Sequence, residues 1–284
     1  MRRFQFGDIE LFSLLDTTFQ MTRDGVHPDL GARSDRPPQD SVPHLMSCLS
    51  FVVRTEGHVV LVDTGQGPEA SGLLPAELAA TGIGPSHIDT VFATHLHGDH
   101  TGWNIDRSNG EPHFSNARYL VPRADWEHRI AQSPRQESFK RDVEPLMKMG
   151  RLQLVGDEFA VNSAMTAQST PGHTPGHLSL RVTTGDDSVF VLGDVVLSLF
   201  DVEDPALSNN FDSDGTVAEH TRRTTLARLS QDGVAVAAAH LPSPGVGRFM
   251  QNGAGFAWVP VNCPPPPTLR RRLGGSESVT RIVR

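Results

Sequence analysis

Thr94-His95-Leu96-His97-Gly98-Asp99-His100-Thr101-Gly102 follows directly on the apolar run DTVFA and places three imidazoles and a carboxylate within six residues. If the backbone bends where that strand ends, His95 and His97 aim at one point. The turn through Gly98 then returns Asp99 and His100 beside them. Imidazole and carboxylate are the ligands that borderline divalent cations such as zinc prefer. A polar loop that happens to hold histidines does not account for this density, because three more candidates follow in matching positions. His173 sits in the Pro- and Gly-fixed loop TPGHTPGH (170–177), where the backbone can come close and one side chain is held out. Asp194 ends the buried run SVFVLG, where an unpaired carboxylate would be costly. His240 closes VAVAAA in the same manner. Singly, each would be an ordinary hydrogen-bonded residue. Together they give five His and two Asp at strand ends, a set that suits two metals.

Around these positions, apolar, mostly β-branched runs at 49–53, 59–62, 90–93, 119–121, 178–182, 189–192 and 234–238 predict buried strands. The N-terminus reads as a first strand, because Asp8 and Glu10 interrupt what would be the apolar core of an export signal. Helices are predicted at 69–80, 123–132, 136–149 and 217–231. Strands and helices mix in both halves, so the class is α/β with at least two strand-rich layers. One domain is expected over 1–263. Within it, 20–47 reads as a long loop serving as a lid, a binding loop or a subunit contact. The segment 264–284 follows four prolines and reads as a disordered basic tail.

Composition narrows the classes. Hydrophobic residues make up 37% of 284, enough with the 26 glycines for a sizeable core. A net charge of −8 argues against a protein built to grip nucleic acid. No apolar run is long enough to span a bilayer. Two cysteines, Cys48 and Cys263, make no disulfide framework, which fits a cytoplasmic location. Thirteen histidines against one tyrosine is the one compositional oddity, and it points to metal.

The THLHGDHTG segment, the TPGHTPGH loop, the FVLGD strand end and the AAAH strand end resemble the metallo-β-lactamase superfamily, over a span from LVDTG at 61–65 to His240. That resemblance implies a four-layer αββα sandwich with two divalent metals at one edge. The metal would be zinc, with manganese, cobalt or iron as alternatives. His95, His97 and His173 would hold the first metal; Asp99, His100 and His240 would hold the second; Asp194 would bridge them. Asp63 would stand behind the ligands and orient them. A hydroxide shared by the metals would be the nucleophile, with Asp99 orienting it and moving its proton. His177 lies in the same loop as His173, but the family pattern makes the first histidine the ligand.

Within the superfamily, a bridging carboxylate at Asp194 disfavours true β-lactamases. His97 stands where flavodiiron proteins place a Glu. The added domains of the nucleases and glyoxalase II enzymes are not identifiable. The stretches GDVVLSLFDVEDP, FDSDG, AAAHLPSPGVGRF and GFAWVPVN resemble the methyl parathion hydrolase group. The resemblance therefore implies hydrolysis of esters or lactones with phosphotriesterase activity. An acyl-homoserine lactonase is the alternative, disfavoured because Val195-Val196-Leu197-Ser198 follows the bridge where many such enzymes carry a tyrosine. A non-catalytic binding protein retaining the fold is the competing class. Trp103 and Phe200 are the candidate pocket walls. The expected partners are a small neutral substrate and a second copy of the chain in a homodimer, with no nucleic acid and no membrane.

Overall fold

The computed structural model describes residues 1–31, 44–55 and 57–261. Side chains in its central strands divide between two faces: Val60 and Val62 join one buried cluster, while Leu61 between them joins another. Neighbouring residues of a strand point to opposite faces, so the run VVLV needs cover on both sides. That requirement dictates a layered architecture.

One sheet takes its seven strands in sequence order: β1 (Arg2–Phe6), β2 (Ile9–Met21), β3 (His44–Thr55), β4 (His58–Val62), β5 (Thr90–Phe92), β6 (Arg118–Pro122) and β7 (Leu152–Val155). The second runs β14-β13-β12-β11-β10-β9-β8 across its width. Its strands are β8 (Glu158–Ala160), β9 (Met165–Ser169), β10 (Leu178–Thr184), β11 (Asp187–Val191), β12 (Ala235–Ala237), β13 (Val246–Asn252) and β14 (Gly255–Pro260). β4 to β7 pair in parallel, as do β11 and β12, and the remaining neighbours are antiparallel.

The inner faces meet through Phe51, Val62, Phe92 and Leu120 on one side and Leu180, Val191, Ala237 and Val246 on the other. Outside the first sheet, Leu61, Val91 and Tyr119 pack on Leu74, Leu78 and Leu146 of helical segments. Outside the second, Phe190, Val236 and Phe249 pack on Val202, Leu226 and Leu229. The four layers are helix, sheet, sheet and helix, the expected αββα sandwich. The long helix Gly215–Asp232 starts where the Asp214 carboxylate accepts the N–H groups of Thr216 and Val217, and it stops at Gly233 with φ 63°.

The carboxyl ends of the parallel strands β4 and β5, and of β11 and β12, are followed within three residues by Asp63, Thr94-His95, Asp194 and His240. At this edge Leu49 N–H donates to Ala239 O at 3.1 Å and ties one sheet to the other.

Several sequence expectations change. The helix expected at 69–80 is a short 3-10 turn, Pro68–Ala70, followed by the helix Leu74–Ala79; Asp16 captures the Gln66 N–H before the turn and the Leu74 N–H after it. The helix expected at 136–149 divides into Glu137–Asp142 and Glu144–Lys148 at Val143, just before Pro145. The 20–47 loop is narrower than expected. β2 extends to Met21, two helical turns occupy Arg23–Val26 and Pro28–Gly31, and β3 starts at His44. Residues 32–43 and the expected tail at 264–284, with Cys263, lie outside the described residues. Strands β7 to β9, β13 and β14 were not expected from the apolar runs.

Candidate metal centre

Five of the side chains singled out from the sequence are imidazoles, and the surrounding acceptors fix how they present their nitrogens. Asp63 adopts a left-handed backbone conformation, φ 59°, directly after β4. Its Oδ1 accepts Thr94 N–H at 2.8 Å, and its Oδ2 accepts the Thr94 hydroxyl at 2.9 Å and His100 Nδ1–H at 2.9 Å. With the Thr94 proton committed to Asp63, His95 Nδ1 must donate to Thr94 Oγ1, 3.0 Å away. His173 Nδ1 donates to Asp212 Oδ1 at 3.2 Å, and His240 Nδ1 donates to Ser47 O at 2.8 Å. Four rings therefore spend their Nδ1 protons outward and turn Nε2 inward.

Those nitrogens converge. His97 Nδ1 lies 3.0 Å from Nε2 of both His95 and His173. Asp194 Oδ2 lies 3.1 Å from His240 Nε2, 3.3 Å from His173 Nε2 and 3.7 Å from His95 Nε2, while Oδ1 lies 3.3 Å from His100 Nε2. Asp99 Oδ2 is 3.6 Å from His240 Nε2 and 3.7 Å from His100 Nε2. Among the described residues three sets could each hold a cation: His95, His97 and His173; His95, His100 and Asp194; Asp99, His100 and His240.

Electrostatics ask for positive charge at this point. Burial pushes His95 well below the ordinary imidazole value, and it pushes His97 down to about 3 with help from His173. For His100 and His240 burial acts in the same direction but is outweighed by Asp194 and its neighbouring carboxylates, so both are raised. Asp194 is held well below the carboxylate range, because His100, His240 and His95 outweigh its burial. His100 Nε2 and Asp194 Oδ1 are buried with no hydrogen-bond partner. Orphaned buried atoms of this kind are expensive, and a divalent cation between them would satisfy both. The donor set, nitrogen and carboxylate oxygen with no thiolate, fits zinc and its neighbours.

A cavity of about 630 Å³ opens over the cluster. His97, Asp99, His173, Asp194 and His240 form its floor. Phe19, Met21, Met46, Leu197 and Phe211 give one apolar wall; Gln66, Glu69 and Arg141 stand on the rim. Trp103 and Phe200 are not among the lining residues, which corrects the expectation for both. Trp103 follows the helical turn Gly98–Thr101 and packs into the outer layer, its Nε1–H donating to Asp16 Oδ1 at 2.9 Å. Phe200 meets His27 edge-on, centroids 6.1 Å apart. The single tyrosine, Tyr119, is buried in the outer cluster and supplies no phenol to the site. Among residues the sequence reading did not single out, Asp212 holds His173. Asp125 joins two loops of the centre, accepting Leu96 N–H at 3.1 Å and Gly176 N–H at 2.6 Å. Neither carries a local sequence signal, since their partners are distant along the chain.

Residues 45–240 match the family model of the metallo-β-lactamase superfamily. An N-acyl homoserine lactonase of Bacillus cereus is 27% identical over 187 residues, covering 58% of this chain and 70% of that protein. An atrochrysone carboxyl ACP thioesterase of Aspergillus fumigatus is 31% identical over 150 residues, 52% of this chain and only 29% of that longer protein. Among solved structures, the hydrolase AbOPH of the β-lactamase superfamily superposes with a TM-score of 0.79 at 26% identity, covering 92% of this chain and 97% of that one. The dizinc quorum-quenching lactonase AidC shares the fold with the same TM-score at 23% identity. The chain belongs to the metallo-β-lactamase superfamily.

Proposed function

We propose that this member of the metallo-β-lactamase superfamily is a dinuclear metal-dependent hydrolase of lactones and aryl esters, with a weaker phosphotriesterase activity on dialkyl aryl phosphotriesters. One observation carries the reading. Four imidazoles, fixed by outward Nδ1 hydrogen bonds, turn their Nε2 atoms toward the buried Asp194 carboxylate on the floor of a cavity with an apolar wall. His95, His97 and His173 would hold one cation, Asp99, His100 and His240 the other, and Asp194 would join the two.

Two bound cations, zinc or else manganese, cobalt or iron, would supply Lewis acidity and a water that can be deprotonated near neutral pH. Asp99 opens onto the cavity with 26% of its side chain exposed. There the carboxylate oxygen not turned to the cation would take the proton of the attacking water and return it to the leaving oxygen. The Asp99 carboxyl stays ionised for that task, because His100 and His240 outweigh its burial. Phe19, Met21, Met46, Leu197 and Phe211 would hold an acyl chain or aryl ring and keep bulk water from it. A small, neutral substrate with a good leaving group suits that wall.

The similarity to an N-acyl homoserine lactonase supports lactones, among which acyl-homoserine lactones are the first to test. The thioesterase relative supports acyl transfer to water more broadly. The test is one metal-loaded preparation and one chelated preparation, assayed side by side on an acyl-homoserine lactone, an aryl ester, an acyl thioester, a dialkyl aryl phosphotriester and a β-lactam. Metal-dependent turnover of lactone and ester, with β-lactam poor, is expected. β-Lactam cleavage alone would overturn the reading, and a protein that binds no metal would favour the non-catalytic class.

A further inference from the structure

Arg222 is the bulkiest fully buried side chain among the described residues, and its environment is not the core that its position on the long helix Gly215–Asp232 would suggest. Its guanidinium is spent on the other side of the metal cluster's wall. Nε donates to Val195 O at 3.0 Å, and Nη1 donates to Pro205 O at 3.2 Å and Leu207 O at 3.0 Å. Nη2 donates to Asp212 Oδ2 at 2.9 Å. The other oxygen of that same carboxylate, Oδ1, accepts His173 Nδ1–H.

The loop carrying Asp212 grips His173 a second time. Ser213 N–H and its hydroxyl both donate to His173 O at 3.0 Å, and Asp214 N–H donates to Gly172 O at 3.0 Å. Val195, the carbonyl held by Nε, is the residue after Asp194. One guanidinium therefore fastens the ring of His173, through Asp212, and the backbone beside Asp194. A buried carboxylate without a counter-charge is costly. The paired Arg222 supplies its counter-charge and fixes the carboxylate plane in a fork geometry that lysine cannot copy.

We infer that Arg222 and Asp212 are positioning residues for the metal centre, setting the tautomer and aim of His173 and the placement of Asp194 together. This rests on the metal-hydrolase reading above. It goes beyond it in assigning a role to a helix that touches neither cavity nor ligand. In Asp212→Asn only one of the two positions still holds an acceptor oxygen. If its oxygen stays on Arg222, its NH₂ faces His173 Nδ1 and drives the proton to Nε2, where a cation should bind. If it turns round, NH₂ meets Nη2. Either way the relay is broken while volume is kept.

The experiment compares wild type, Asp212→Asn, Arg222→Lys and Arg222→Met. Three quantities are measured: zinc affinity by competition with a chromophoric chelator, the visible spectrum of the cobalt-loaded protein, and the ring-nitrogen NMR shifts of His173 in the metal-free protein. Loss of such an outer partner typically weakens metal affinity by about 10- to 100-fold. Asp212→Asn is expected to weaken one zinc equivalent within that range, to alter the cobalt spectrum and to shift the His173 ring nitrogens. Arg222→Lys should fall between it and wild type. Should Arg222→Met fail to fold, Asp212→Asn, which keeps the packing, still decides the matter. A merely structural role predicts lower melting temperatures with affinity, spectrum and tautomer unchanged, and that outcome overturns the inference. Wild type that binds no zinc would sink the hydrolase reading and the inference with it. Wild type that binds two, with Asp212→Asn identical to it, would sink the inference alone.

Discussion

The imidazole of His177 accepts the backbone N–H of Asp194 on Nε2 at 2.9 Å, although the two residues belong to different loops. The ring is neutral, pushed down to about 3 by burial and by His173. Its Nδ1 proton goes to Thr170 Oγ1 at 2.8 Å; that hydroxyl lies 2.9 Å from Ser179 Oγ, which in turn donates to Leu192 O at 2.8 Å. The chain of hydrogen bonds has one direction only, so the second histidine of TPGHTPGH is committed to carrying Asp194 and has no nitrogen left for a cation. Gly193 makes the contact possible: it sits at φ 63°, and a Cβ there would lie 2.5 Å from His177 Nε2.

His177→Ala leaves the Asp194 N–H buried without an acceptor and opens a void behind it. Stranding that donor costs about 1–3 kcal/mol. The expected result is a lower urea midpoint by that amount or more, together with reduced turnover. Unchanged stability would show that water replaces the ring.

Asp125 performs the corresponding task on the other side. Its two oxygens hold Leu96 N–H, between the ligands His95 and His97, and Gly176 N–H, in the loop of His173. Asp125→Ala strands both donors, and a loss of about 2–6 kcal/mol is expected from the same desolvation penalty. Asp125→Asn keeps one acceptor and should lose about half as much. Denaturant titration of the two variants in parallel checks the ratio.

Why some of this was legible in sequence and some not follows from distance along the chain. His95, His97, Asp99 and His100 lie within one turn after β5, and Asp194 and His240 end apolar runs, so each advertises itself locally. Asp212 meets His173 at a separation of 39 residues, and Arg222 meets Val195 at 27, with no local pattern to mark either pair. The missed strands have a different cause. β8 and β13 have mostly part-buried or exposed side chains, so they lack the continuous apolar runs that identified β4, β5 and β11. Trp103 and Phe200 were misplaced because adjacency in sequence to a ligand says nothing of where the next side chain points.

That correction can be tested by contrast. Trp103→Phe removes the indole N–H from Asp16 and should lower stability by about 1.5 kcal/mol, as hydrogen bonds to carboxylates do, leaving KM as it was. Met46→Ala thins the cavity wall instead. At about 0.8 kcal/mol per buried CH₂, kcat/KM for a long-chain substrate should fall several-fold per lost methylene contact while a short-chain substrate is little affected. Equal effects of the two variants on KM would show that the wall has been assigned to the wrong side chains.

The raised values of His100 and His240 give the metal-free and metal-loaded proteins different responses to pH. Burial alone would lower both, but Asp194 and the nearby carboxylates outweigh it and hold protons on the rings above the ordinary 6.5. A group whose folded value is raised contributes stability that is complete below its unfolded value and is lost as pH climbs through the folded one. The metal-free protein should therefore lose stability as pH rises above about 6.5. Metal binding must expel those same protons, so affinity should climb over that window and level off once both rings are neutral. The gain in affinity offsets the loss, so the loaded protein holds its stability where the metal-free one loses it. Melting curves of both forms between about pH 6 and 9, with zinc titrations at each pH, test the pair. Parallel melting curves and a zinc affinity independent of pH would mean that His100 and His240 carry no protons for the metal to displace.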